Sequence, residues 1–99
     1  MRKSCWDCCF KHLSKAIVVS SEVFMGYPDH VALVVGNLSE AEDEILGADE
    51  QLAMDIRDIR LKYMADFRFE IGPPCFAIIN RVLAGRAAAA DKKSESVLP

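Results

Sequence analysis

The sequence predicts an all-α protein: a small helical bundle of about four helices, with the C-terminal helix used for oligomerisation. Three observations carry that expectation. Apolar residues recur at helical spacing through four successive segments, and no alternating strand pattern competes with them. Clear breaks separate the segments, at Gly26 and Pro28, at Gly47, and at Gly72, Pro73 and Pro74. Finally, 52% of the 99 residues are hydrophobic, above the usual ~45–50%, whereas a chain this short buries only about two-thirds of its unfolded surface. The surplus is expected to lie between copies of the chain, making it a homo-oligomer. Residues 1–90 read as one helical domain and residues 91–99 as a solvated tail.

Ser4 is placed to cap the first helix, with Asp7 three residues on as its capping-box partner. The inward positions run Cys9, Leu13, Ala16, Ile17, Ser20, Val23 and Phe24. The β-branched run from Ala16 to Val19 has strand propensity, but helical periodicity on both sides outweighs it. Gly26 supplies a left-handed stop and Pro28 bars continuation.

Asp29 is expected to cap the second helix, HVALVVGNLSEAEDEIL, whose stripe is Val31, Val34, Val35, Leu38, Ala41 and Ile45. Gly36 in its middle costs about 1 kcal/mol against alanine, which predicts close approach by another helix. Asp49 caps the third helix, with Leu52, Ile56, Ile59, Tyr63 and Phe67 inward and Asp55, Arg57, Asp58, Arg60 and Lys62 on the wet face. Pro74 suits the first turn of the fourth, CFAIINRVLAGRAAAA. That helix is apolar on nearly every side and needs covering all round. Phe76, Ile78, Ile79, Val82 and Leu83 are therefore the expected oligomer interface.

The net charge is −3 and the sequence pI about 5.3. Lysines and arginines are scattered among acids, apart from the small group Arg2, Lys3, Lys11 and Lys15, so nucleic acid is not an expected direct partner. The longest apolar stretch contains Asn80 and Arg81 and is too short for a bilayer, and no secretory signal is visible. A cytosolic setting, in which thiols stay reduced, is expected. No nucleophile–base pair stands out: Ser14, Ser20, Ser21 and Ser39 lie on helices without an elbow motif, and no catalytic residue is assigned.

Three groups of residues carry candidate chemistry. Cys5, Cys8, Cys9 and His12 share neighbouring helical positions. Thiolates and imidazole are the usual zinc ligands, and C-x2-C is a common half-site. The fourth ligand could come from Cys9, from a neighbouring subunit, or from Glu42 or Asp43 across the turn. The plainer reading is that these cysteines pack as small hydrophobes and the protein needs no cofactor; a second C-x2-C is absent. Thiol redox chemistry would want a preceding strand, which is missing. At the first turn, Glu22, Tyr27 and His30 form a polar group that either locks the turn or, with Trp6, lines a small-ligand pocket at a subunit seam. Lastly, Glu40 and Asp43, with Asp55 and Asp58 on the next helix, place paired carboxylates on antiparallel helices, as a divalent cation would require.

Two resemblances follow from these motifs. The order C-W-D-C-C-F-K-H-L-S-K-A, G-Y-P-D-H, G-N-L-S-E-A-E-D-E and I-R-D-I-R-L, from Cys5 to about Leu61, resembles a set of small uncharacterised proteins of tailed bacteriophages. Those share a C-x2-C-x2-K-H-L opening, a G-Y-x-x-H turn and a G-H-L-x-x-A-E-x-E helix; Asn37 stands here in place of the last pattern's histidine. The resemblance implies a phage origin, in the cytoplasm of an infected host or in the virion, and no activity. The acidic pairs resemble the all-α nucleotide pyrophosphohydrolases of the MazG type, although the spacing is shorter and E-E-x-x-E is not met. The first functional expectation is thus a non-enzymatic phage accessory or structural protein, acting through self-association and contacts with phage or host proteins. The alternatives are an oligomeric protein that sequesters a nucleotide signal, and a MazG-like metal-dependent enzyme.

Overall fold

Helical periodicity decides the whole backbone. A computed structural model describes the backbone of residues 4–97 and the side chains of residues 4–90; Arg2 and Lys3 of the basic group, and the side chains of the expected tail, lie outside the described residues. The elements are α1 (Trp6–Phe24), a 3-10 turn (Pro28–His30), α2 (Val31–Ile45), α3 (Glu50–Ala65) and α4 (Gly72–Val97). No strand occurs among the described residues. Each helix packs on its neighbours in sequence, and α4 closes the ring against α1, the up-and-down arrangement that short connections favour.

The core is one cluster drawn from all four helices and from Ile71 in the last connection. Leu13, Ala16, Val34, Leu38, Ala41, Ile45, Leu52, Ile56, Tyr63, Cys75 and Val82 are completely buried. The segment from Ala16 to Val19 is helical: Ala16 and Val19 face inward while Val18 is exposed, a 3.6-residue rather than a two-residue alternation.

The helix ends depart from expectation at two places. Cys5, not Ser4, caps α1: it is extended (φ −135°, ψ 105°), and its Sγ accepts the Cys8 amide at 3.1 Å. The Cys5 amide in turn donates to the Glu44 carbonyl at 2.9 Å, which tethers the entry of α1 to the last turn of α2. Asp29 does not cap α2. Pro28 fixes its own φ and starts the 3-10 turn, so Asp29 is already inside a helical turn, and His30 holds the cap position without its side chain capping the helix. Asp49 caps α3 as expected, Oδ1 accepting the Leu52 amide at 3.0 Å. Gly26 has φ +106°, the left-handed stop. Gly36 is a correction: a Cβ there would meet nothing within 4 Å, so no helix packs on it within the chain.

Helix α4 both completes the core and exceeds it. Cys75, Ile78, Ile79 and Val82 lie at i, i+3, i+4 and i+7 and are buried, which is an inward face of ordinary width. Of the five residues expected between copies, Ile78, Ile79 and Val82 therefore sit in the chain's own core, while Phe76 (57% exposed) and Leu83 (40%) face outward. Trp6 packs on Gly85 and Asp7 pairs with Arg86 at 3.0 Å. Beyond them every described side chain of α4, Ala87 to Ala90, is exposed, and the helix continues through Val97 into the segment read as a tail. No helix among the described residues is long and apolar enough to cross a membrane.

Candidate functional site

At the end of the bundle where α1 begins and α2 finishes, the helix cap concentrates sulfur beside a carboxylate. Cys5 and Cys8 are bonded to each other as a disulfide, with Cα atoms 5.2 Å apart. Their sulfurs and a carboxylate oxygen of Glu44 all lie within 4.8 Å of one another. Glu44 is buried, while both cysteines are half-buried. Among the described residues this is the one group of three or more potential ligand side chains so gathered.

The other two members of the expected cysteine group go elsewhere. Cys9 is fully buried; burial, helped by the charge of Glu44, pushes its thiol up to about 12. His12 donates from Nδ1 to the Cys8 carbonyl at 2.9 Å, one turn back along its own helix. Glu42, considered as a ligand, faces α3 instead. It is 5% exposed and its carboxylate accepts from Arg57 Nε (2.9 Å) and Nη2 (2.6 Å) and from Arg60 Nη2 (3.1 Å). Charge-assisted bonds of this kind are the stronger ones, and here they join α2 to α3.

Sequence reasoning missed Glu44 because the register across the first turn was unknown. Chain spacing could suggest that α1 and α2 lie antiparallel, but the Cys5–Glu44 backbone bond, which sets the alignment, depends on how the 3-10 turn closes. It also missed the pairing of Glu42 with Arg57 and Arg60. Their spacing of three on one helix face was the available clue, since both guanidinium groups can then reach one partner.

The turn group assembles in part. Glu22 Oε2 accepts from His30 Nδ1 at 2.7 Å, and the Tyr27 ring stacks on His30 with centroids 5.6 Å apart. Trp6 is at the far end of the bundle against Gly85 and does not join them. The His30–Glu22 bond thus joins α1 to the entry of α2 across the turn.

The acidic pairs meet bases. Asp55 accepts from Arg81 Nη1 at 2.6 Å, which holds its carboxyl below the usual range, and Asp58 pairs with Lys62 at 3.0 Å. All four of these residues line a shallow cleft of about 240 Å³ between α3 and α4. Glu40 and Asp43 are not gathered with Asp55 and Asp58 into a cluster of ligand atoms. No protein-family model matches the chain, and neither a curated protein nor a solved structure is detectably similar to it.

Proposed function

We propose that the protein acts without catalysis, as a small helical accessory that works by self-association and by contacts with other proteins, of the kind suggested by its likeness to small tailed-phage proteins. The observation that carries this reading is the outer side of α4. Phe76 and Leu83 are seven residues apart on one exposed face, with Asn80 between them, and Ala87 and Ala90 continue it past the bundle. From Arg86 to Val97 the helix runs on for about 17 Å at 1.5 Å per residue. A helical overhang of that length is marginal in water by itself, and small alanine side chains let another helix approach closely. A second copy, presenting the same face, covers both the aromatic anchor and the overhang with one isologous contact. Two of the four acids that such an enzyme would spend on a divalent cation, Asp55 and Asp58, are engaged with Arg81 and Lys62, which supports the non-enzymatic reading over a phosphohydrolase.

The test is the native mass of the full chain across a dilution series. The unaltered protein should be a dimer or larger, and Phe76→Glu combined with Leu83→Glu should give a monomer of unchanged helix content. A monomeric unaltered protein, or an oligomer indifferent to both substitutions, overturns the reading.

A further inference from the structure

We propose that Cys5, Cys8 and Glu44 form a zinc-binding site in the reduced protein, with a fourth coordination position left to water or to a donor from outside the chain. The ligand set is drawn from two helices and held by the backbone. The Cys5 amide bonded to the Glu44 carbonyl fixes the separation of α1 and α2 at this end, and the helix cap holds Cys5 and Cys8 on one side of α1. The three ligand atoms lie within 4.8 Å of one another. A zinc ion reaches sulfur at about 2.3 Å and carboxylate oxygen at about 2.0–2.2 Å, so once reduction frees the two sulfurs they move apart to flank one ion and the carboxylate closes on it.

Charge favours the cation. Once the disulfide is opened, two half-buried sulfurs stand side by side, and a divalent ion bonded to both offsets the charge of their thiolate forms. The disulfide is one way to discharge the sulfurs, and a divalent ion is the other. Two sulfur donors also select zinc over magnesium or calcium, whose preferences are for oxygen. The balance is simple. A dithiol supplies two electrons and two protons to open the disulfide, whereas a phosphine supplies the electron pair and becomes the oxide while water gives the oxygen and both protons; zinc then displaces both thiol protons as the two Zn–S bonds form. Cys9 and His12 take no part, the first being sealed in the core and the second turned to the Cys8 carbonyl.

The experiment uses the full chain, reduced with a phosphine and titrated anaerobically with cobalt(II) and then zinc. Uptake is read from thiolate-to-cobalt absorption and from native mass. The expected result is one metal per chain with two protons lost. Cys8→Ser should abolish the thiolate-to-cobalt band of the bidentate site. Glu44→Gln should weaken binding by at least the about 10–100-fold typical of losing an outer-shell partner. Cys9→Ala and His12→Asn should bind as the unaltered chain does. Helical circular dichroism of each variant separates lost binding from lost folding, and Glu44→Gln, nearly isosteric, keeps the test open if a cysteine variant unfolds. Failure of the reduced chain to take up metal at micromolar concentrations overturns the site. So does equal affinity in Glu44→Gln, or dependence on Cys9 or His12. The outcome is separable from self-association, since Phe76→Glu with Leu83→Glu leaves these ligands in place.

Discussion

Trp6 lies against Gly85: a Cβ added to that glycine would come within 2.5 Å of the indole ring. Here a side chain of α1 seats directly on the backbone of α4, and Gly85 is the residue that permits it. Replacing it with alanine sets two effects against each other. Helix propensity favours alanine by about 1 kcal/mol, but the ring must leave its seat, and overpacking of this kind costs about 1–3 kcal/mol. Gly85→Ala should therefore lower stability by about 1 kcal/mol and red-shift the emission of the single tryptophan. Gly36, where the added Cβ meets nothing, is the control, and Gly36→Ala should stabilise by about 0.5–1 kcal/mol. A Gly85→Ala protein with unchanged emission and a higher Tm would refute the contact.

Glu42 should matter more than either of its partners alone. It is nearly buried, whereas Arg57 is half-exposed and Arg60 about one-fifth exposed. Removing the charge in Glu42→Gln leaves Arg60 partly buried without its counter-ion. Stranding a partner in a fully buried pair costs about 3–5 kcal/mol, so about 2 kcal/mol is expected here after allowance for exposure. Arg57→Ala leaves the carboxylate paired with Arg60 and should cost under about 1 kcal/mol. Urea unfolding of both variants decides the order, and a larger loss from Arg57→Ala would contradict the geometry.

Tyr63 is completely buried, and its hydroxyl has no hydrogen-bond partner among the described residues. Burial raises its pKa above the ordinary value. The neutral phenol is thus favoured by the fold, and the stability it contributes is intact below about pH 10 and lost as pH climbs further. Tyr63→Phe removes an unsatisfied polar atom while keeping the ring. It should raise stability at neutral pH by up to about 1 kcal/mol and reduce the alkaline loss. Destabilisation by more than that amount would mean the hydroxyl is bonded.

The four cysteines should divide into two chemical pairs. Burial pushes both Cys9 and Cys75 up to about 12, so at neutral pH they are thiols within the core. After reduction, alkylation of the native protein should label Cys5 and Cys8 quickly and the other two only on unfolding. The same shift predicts a pH dependence. Both buried thiols stabilise the fold fully below about pH 8.5, their unfolded value, and that contribution fades as pH rises from there towards 12. Mass mapping of alkylated peptides is the check; rapid labelling of Cys75 would show that α4 opens readily.

Much of this protein was legible in its sequence because local chemistry determined it. The left-handed stop at Gly26, the Asp49 cap and the stripes of Leu13, Val34, Leu38, Ile56 and Tyr63 are each dictated by residues within a few positions of one another. These fix four helices and most of their inward faces, with Phe24 and Phe67, expected inward, standing exposed at helix ends instead. What only the tertiary structure decided is which helix ends meet. That choice put Glu44 beside Cys5 and Cys8, took Glu42 away to Arg57 and Arg60, sent Trp6 to Gly85 rather than to Tyr27, and drew Ile78, Ile79 and Val82 into the core while leaving Phe76 and Leu83 outside. The reason is physical. A helix face is specified by its own periodicity, but the register between helices is set by the summed packing of all four and by single long-range bonds such as the one from Cys5 to Glu44, which no local pattern encodes.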